Sequence, residues 1–327
     1  MTEHYLYILA GFTLLFYGAE FLVKGASEIS LKFGVSPLVV GLTVVAFGTS
    51  APELLVCLEA NANGTPDQAF GTIIGSNICN IALILGVGAL IHPIVIHRQI
   101  IRREIPILLA ASAVFILMLL DKQVLQWEGL VLFVGIVLYV ISSLMQSKNE
   151  IGAEESEDFT AEEVEKAKKS TPLGMLLSVF WIIAGLVALR LGSSWLVEHG
   201  SKVAVSLGVS QAIIGLILLA FGTSLPELAT SIVAARKGQG DIITGNAVGS
   251  CIFNILAVIG ITALVSPLVA TNINWMDMGV MLGILIIVTP MMWSRGRLSK
   301  LEGAILLIFY LSYTITRFML DKGMISA

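Results

Sequence analysis

The sequence predicts an all-α polytopic membrane protein, with ten transmembrane helices as two inverted five-helix repeats, on three observations. Hydrophobic residues make up 56% and charged residues 13% of the chain, with a mean hydropathy of +0.91, whereas an ordinary soluble domain carries about 25% charged residues. The hydropathy divides into ten apolar segments, at about 5–23, 37–60, 68–91, 104–120, 125–145, 173–197, 210–235, 242–265, 276–293 and 301–320, each near the roughly 20 residues that a helix needs to cross a bilayer. The chain also repeats itself at a constant offset of 174, without a gap from Gly11/Gly185 to Tyr139/Tyr313. Each unit holds five spans, an odd number, so the second enters the membrane from the opposite side. Inverted repeats of this kind characterise secondary transporters, whose substrate lies near the midplane where the repeats meet.

Taken in order, the first segment follows Met1-Thr2-Glu3-His4, which carries an acid instead of a basic leader, so no cleaved signal peptide is expected. The second, PLVVGLTVVAFGTSAPELLVCLEA at 37–60, returns as QAIIGLILLAFGTSLPELATSIVA at 211–234 in the seventh. Gly75-Ser76 and Asn80-Ile81 of the third return as Gly249-Ser250 and Asn254-Ile255 of the eighth. Pro93 and Pro267 follow these segments, and Glu128-Gly129 and Glu302-Gly303 open the fifth and tenth; between 34 and 93, 26 of 60 offset pairs are identical. The division is therefore 1–145 for the first repeat, 146–172 for a linker and 173–327 for the second repeat.

That linker holds the only dense charge in the chain. Thr160 with Glu163 fits a capping box, and the pairs Glu162/Lys166 and Glu165/Lys169 predict a short exposed helix. A solvated connector explains these charges without a regulatory cation site, because no EF-hand spacing is present. Fourteen of the 19 Lys and Arg residues fall on one side if the N-terminus is outside; Lys122, Arg190, Lys202, Arg317 and Lys322 are the exceptions. The positive-inside rule then places both termini outside an inner (plasma) membrane and the linker in the cytoplasm.

The chemistry sits in the paired segments. Proline removes a backbone donor and clashes with the carbonyl four residues back, so Pro52 is expected to free the carbonyl of Gly48, and Pro226 that of Gly222. Each half then has an opened turn, with carbonyls near Ala46 to Thr49 or Ala220 to Thr223 beside the hydroxyls of Thr49, Ser50, Thr223 and Ser224. Glu53 lies one turn past Thr49, and the next helices add Ser76, Asn77 and Asn80, or Ser250 and Asn254. Every donor is an oxygen. Such a set suits a hard cation, and two carboxylates match the charge of one Ca²⁺. Small residues and Ser/Thr/Asn in membrane helices ordinarily serve packing, and that reading covers Gly75-Ser76 or Gly249-Ser250 alone. It does not cover a buried Glu repeated beside Pro, which is costly at membrane depth and marks a functional site. Glu20, Glu59, Asp67, Asp241 and Asp277 lie nearer helix ends and are left out. Cys57, Cys79 and Cys251 show no ligand spacing and read as packing residues.

GTSAPE with GSNICN, and GTSLPE with GSCIFN, resemble the two alpha repeats of the calcium/cation antiporter superfamily, and the likeness extends over essentially the whole chain. It is greatest to prokaryotic sodium/calcium exchanger-like proteins, whose fold has ten helices in two inverted repeats. The resemblance implies ion ligands at Ala46 and Ala220 (carbonyls), Thr49, Ser50, Glu53, Ser76 and Asn80, and Thr223, Ser224, Glu227, Ser250 and Asn254. Asn254 stands where archaeal and potassium-dependent exchangers carry Asp and several potassium-independent ones carry Asn, which argues against K⁺ co-transport.

The function expected is alternating-access antiport of Na⁺ against Ca²⁺, normally extruding Ca²⁺. Both ions are substrates; no cofactor, nucleic acid or obligate protein partner is expected beside the lipid bilayer. The alternative is a Ca²⁺/H⁺ antiporter, since a buried Glu can exchange a proton for a metal. A channel would need a ring-like filter, and an enzyme a nucleophile/base pair or an HExxH-type motif; neither is present.

Overall fold

The computed structural model describes residues 2–33, 35–150, 172–207, 220–270 and 275–321. The expected linker helix around Thr160–Glu163 and the first half of the seventh segment, 211–219, lie outside these residues. The described residues hold eight continuous helices long and apolar enough to span a membrane, and one further span broken in two.

Helix α1 runs from Thr2 to Phe33, and α7 from Pro172 to Ser206. Both outrun their apolar segments, because the charges that end the hydropathy lie within the helix and find partners. The Lys32 ammonium donates to Ser178 Oγ and to the Gly174 carbonyl, both at 2.7 Å, and Lys24 lies over the Trp181 ring at 4.6 Å. The two helices are antiparallel along their length. His4 meets His199, Gly11 meets Gly192, Gly18 meets Gly185 and Gly25 meets Ser178. Since α1 and α7 are offset equivalents, their antiparallel course makes the repeats inverted.

The same exchange recurs elsewhere. Strand β1 (Ile94–Val95) pairs with β4 (Arg297–Leu298), and β2 (Gln123–Val124) with β3 (Leu268–Val269). Adding 174 to one residue of the Ile94/Leu298 pair and subtracting it from the other yields Leu268/Val124, which is also a pair. Gly86 against Gly303 becomes Gly260 against Gly129 in the same way. These glycines let backbones touch. A Cβ on Gly185 would sit 2.6 Å from the Leu22 nitrogen, so Gly185→Val is expected to prise α7 from α1. A lower detergent melting temperature checks this, and an unchanged one would contradict the packing.

In the first repeat the broken span comprises α2 (Pro37–Thr49) and α3 (Ala51–Ala62), bent by 40°. Ser36 caps it, its hydroxyl accepting from the Val39 amide, with Pro37 in the first turn. Pro52 falls in the first turn of α3, so the helix restarts where proline is tolerated. In the second repeat a turn at Ala220–Gly222 precedes α8 (Leu225–Arg236), with Pro226 in the same place. Helices α4 (Pro66–Ile91) and α9 (Gly240–Val265) form the centre, each 83% buried over its apolar window, against 11% for α11 (Lys300–Asp321). Helices α5 (Ile100–Asp121), α6 (Gln126–Glu150) and α10 (Trp275–Arg295) complete the bundle.

Candidate functional site

Both α4 and α9 widen into a π-helical turn, Cys79–Ile84 and Asn254–Ile259, within one residue of offset equivalence. Such turns insert a residue into the helical ladder and are frequent at functional sites. Here Asn80 and Asn254 lie within them, facing the breaks of the crossing spans. Asn77 and Cys251, which are offset equivalents, touch each other, the Cys251 thiol donating to the Asn77 carbonyl at 3.7 Å. The pseudo-twofold axis therefore passes between α4 and α9 at this level.

Glu53 and Glu227 are fully buried, and no ion pair among the described residues involves either. Ser76 donates to Glu53 Oε1 and Ser50 to Glu227 Oε1, each at 3.3 Å, so each carboxylate is held by a hydroxyl. For Glu227 that hydroxyl comes from the other repeat. Ser76 Oγ also accepts from Ser224 Oγ (3.2 Å), Asn254 Nδ2 (3.2 Å) and, at the long limit of 3.5 Å, Asn80 Nδ2. Residues from α3, α4, α9 and the second break thus converge on Ser76 Oγ.

Six buried oxygens in this group have no hydrogen-bond partner among the described residues: Glu53 Oε2, Asn80 Oδ1, Thr223 Oγ1, Glu227 Oε2, Ser250 Oγ and Asn254 Oδ1. A buried polar atom left unpaired costs about 1–3 kcal/mol. Six such atoms around two carboxylates make an electronegative chamber whose natural complement is a cation. Its donors are neutral or anionic oxygens, the set a hard cation takes.

The remaining expected residues divide. Ala46 keeps its carbonyl partly in the helix, where it accepts from the Ser50 amide at 3.0 Å and from Thr49 Oγ1 at 3.4 Å; a carbonyl has a second lone pair to offer. Thr49 points its hydroxyl to the Val45 carbonyl and to Asn246 Oδ1, both at 3.1 Å. Ala220 opens the short turn before the second break. The freed carbonyl of Gly222 is taken up by Ser193, whose hydroxyl donates to it at 2.5 Å. The first repeat has Ala19 in place of that serine.

Two further residues belong here. Asn246 joins the repeats, accepting from Thr49 and donating to the Glu227 carbonyl at 3.3 Å and to Ser231 at 3.4 Å. Its offset partner is the half-buried Thr72, so a search for what the repeats share passes over it. Asn77 orients Asn254, whose Nδ2 donates to Asn77 Oδ1 at 3.0 Å; its position beside the GSxxxN spacing was the available signal. Two of the carboxylates set aside earlier have other partners: Glu20 pairs with Lys237 at 2.6 Å, and Asp277 with Arg317 and Tyr313 at 3.0 and 2.9 Å. Asp241 lies 3.9 Å from His97. The three cysteines are buried and free.

Two inverted repeats crossing at a buried, two-carboxylate oxygen site are the architecture of a secondary cation transporter. A family model described as sodium/calcium exchanger protein matches residues 3–146 and 177–319. The chain belongs to that family, and is a cation antiporter. Among relatives, CaxA of Alkalimonas amylolytica is 36% identical, covering 94% of this chain and 96% of its own. The sodium/calcium exchanger MaX1 of Methanosarcina acetivorans is 29% identical over 97% and 99%. A solved structure of the sodium-calcium exchanger NCX_Mj, soaked with Na⁺ and Sr²⁺, superposes with a TM-score of 0.80 at 30% identity, covering 94% of this chain and 96% of that one.

Proposed function

We propose that this antiporter exchanges Na⁺ for Ca²⁺ and normally extrudes Ca²⁺, with Glu53 and Glu227 binding both ions in turn. One observation carries the reading: six buried oxygens without a partner among the described residues gather at the residues that the duplicated motifs single out. The ligand set proposed is Glu53, Glu227, Thr49, Ser50, Thr223 and Ser224, with Ser76, Asn80, Ser250 and Asn254 and the carbonyls of Ala46 and Ala220.

Competition couples the fluxes. Ca²⁺ and several Na⁺ need the same two carboxylates, so occupancy by one excludes the other. A loaded site is close to neutral and can pass between hydrophobic walls, whereas an empty site with two buried charges is expensive to occlude. Accumulation of ⁴⁵Ca²⁺ in proteoliposomes tests this. Vesicles loaded with Na⁺ are expected to take it up, and vesicles carrying only a pH gradient are not. Uptake driven by the pH gradient alone would transfer the coupling to H⁺.

The proposed organisation is a first repeat at 1–145, a linker at 146–172 and a second repeat at 173–327, set in an inner (plasma) membrane with both termini outside. The Lys/Arg distribution supports this orientation, and a relative 35% identical over 88% of this chain is the inner membrane protein YrbG of Escherichia coli. An impermeant thiol reagent is expected to reach a cysteine placed at Glu155 only from the cytoplasmic side. Labelling from outside would reverse the orientation.

A further inference from the structure

Arg190 is the one cation in the middle of α7, with 16 residues of the Gly174–Ser206 span on either side. It shares a cavity wall with Thr49, Pro52 and Pro226 at the two helix breaks, and inverted-repeat transporters hold their site near the midplane. The sequence alone grouped Arg190 with the outer charges; its place beside the breaks puts it near the midplane. Half the core, about 15 Å, is farther than an arginine side chain can snorkel. Ionisable groups at this depth are paired or functional. Among the described residues no ion pair joins Arg190 to a carboxylate. Its offset equivalent is Phe16, so the fold itself does not require a charge there.

Arg190 lines a cavity of about 750 Å³ whose other walls are apolar except at Thr43 and Thr49, with Phe47, Leu144, Leu186 and Phe253 among them. The volume lies within the range of small-molecule sites. Thr49, Pro52 and Pro226 also face this cavity, placing it directly behind the two helix breaks. Phe47 and Leu144 are half exposed, so the opening lies on the lipid side between α6 and α7.

We propose that this cavity binds an anionic amphiphile with a single acyl chain, of the fatty-acid type, its carboxylate on Arg190 and its chain along the apolar wall. Charge complementarity selects an anion, since a guanidinium pairs with a carboxylate bidentately. Depth selects a single-chain acid, because a phospholipid headgroup keeps its charge and stays at the interface, whereas a carboxylic acid can reach the core in its neutral form. On the cation-site reading above, the occupant also has a consequence. Positive charge behind Thr49 and Pro52 opposes cations at Glu53, and a carboxylate on Arg190 offsets it, so Ca²⁺ then half-saturates exchange at a lower concentration.

The binding claim is tested without transport. The full chain in phosphatidylcholine nanodiscs is titrated with spin-labelled stearic acid and, separately, with its methyl ester, and the motionally restricted fraction is read by electron paramagnetic resonance. The acid is expected to be restricted in several-fold excess over the ester. Arg190→Gln is expected to abolish the excess, and Leu144→Trp, which fills the cavity, to lower the restriction of both. Equal restriction of acid and ester in the unaltered protein, an excess retained in Arg190→Gln, or no change in Leu144→Trp would each overturn the proposal.

Discussion

Replacing Glu53 or Glu227 by Gln is expected to abolish Ca²⁺ exchange while leaving folded protein in the membrane. Each substitution is nearly isosteric and removes one of two charges buried without an ion-pair partner among the described residues. The single remaining charge cannot balance a divalent ion. Removing one member of a buried charged set costs about 3–5 kcal/mol, which is more than a hundredfold in occupancy at about 1.4 kcal/mol per tenfold. The sign for stability is opposite in the absence of ions. There the two carboxylates repel, so either Gln variant is expected to melt at a higher temperature than the unaltered chain in Na⁺- and Ca²⁺-free buffer. It is also expected to lose the extra stabilisation that Ca²⁺ confers by mass action. Flux at the unaltered rate in either variant would remove these carboxylates from the site.

Most of the architecture was legible because the chain is written twice. The 174 offset paired Glu53 with Glu227 and Asn80 with Asn254, and the structure brings all four to one chamber between α4 and α9. Less legible was whatever only one repeat possesses. Ser193 satisfies the Gly222 carbonyl where the other repeat has Ala19, Asn246 bridges the repeats where it has Thr72, and Arg190 stands where it has Phe16. Pattern matching rewards identity, and each of these is a difference. Helix length was hidden for another reason. Hydropathy stops at Lys24, Glu28 and Lys32, yet these charges continue α1 because α7 offers them Ser178, Gly174 and Trp181, contacts that only the inverted packing creates. The π turns at Cys79 and Asn254 carry no residue signature that composition reveals; they follow from how the two central helices cross.

The second large effect concerns Asn254, whose Nδ2 donates to Ser76 Oγ and Asn77 Oδ1 while its Oδ1 has no partner among the described residues. The geometry divides the amide between two tasks. Its nitrogen fixes the orientation, and its oxygen faces the chamber. Asn254→Leu removes both, leaving Asn77 Oδ1 unpaired at about 1–3 kcal/mol. Exchange is therefore expected to fall by about five- to 150-fold, since about 1.4 kcal/mol is tenfold. Asn254→Asp keeps an oxygen toward the chamber but sets a third acid beside Glu53 and Glu227. If it is protonated, its hydroxyl can still donate to Asn77 Oδ1. If it ionises, the Asn77 amide must turn over so that its nitrogen faces the new carboxylate. Like charges at close range disfavour the ionised form, so the Asp variant is expected to retain exchange near neutral pH and to acquire a pH dependence as the added carboxyl titrates. With only two acids available to balance charge, the unaltered chain is expected to exchange Na⁺ for Ca²⁺ at a rate independent of K⁺. The comparison is made on ⁴⁵Ca²⁺ uptake by the three proteins at matched amounts in proteoliposomes. Equal activity in the Leu and Asp variants would make Asn254 a packing residue, and a K⁺ requirement in the unaltered chain would call for a third charged ligand outside the proposed set.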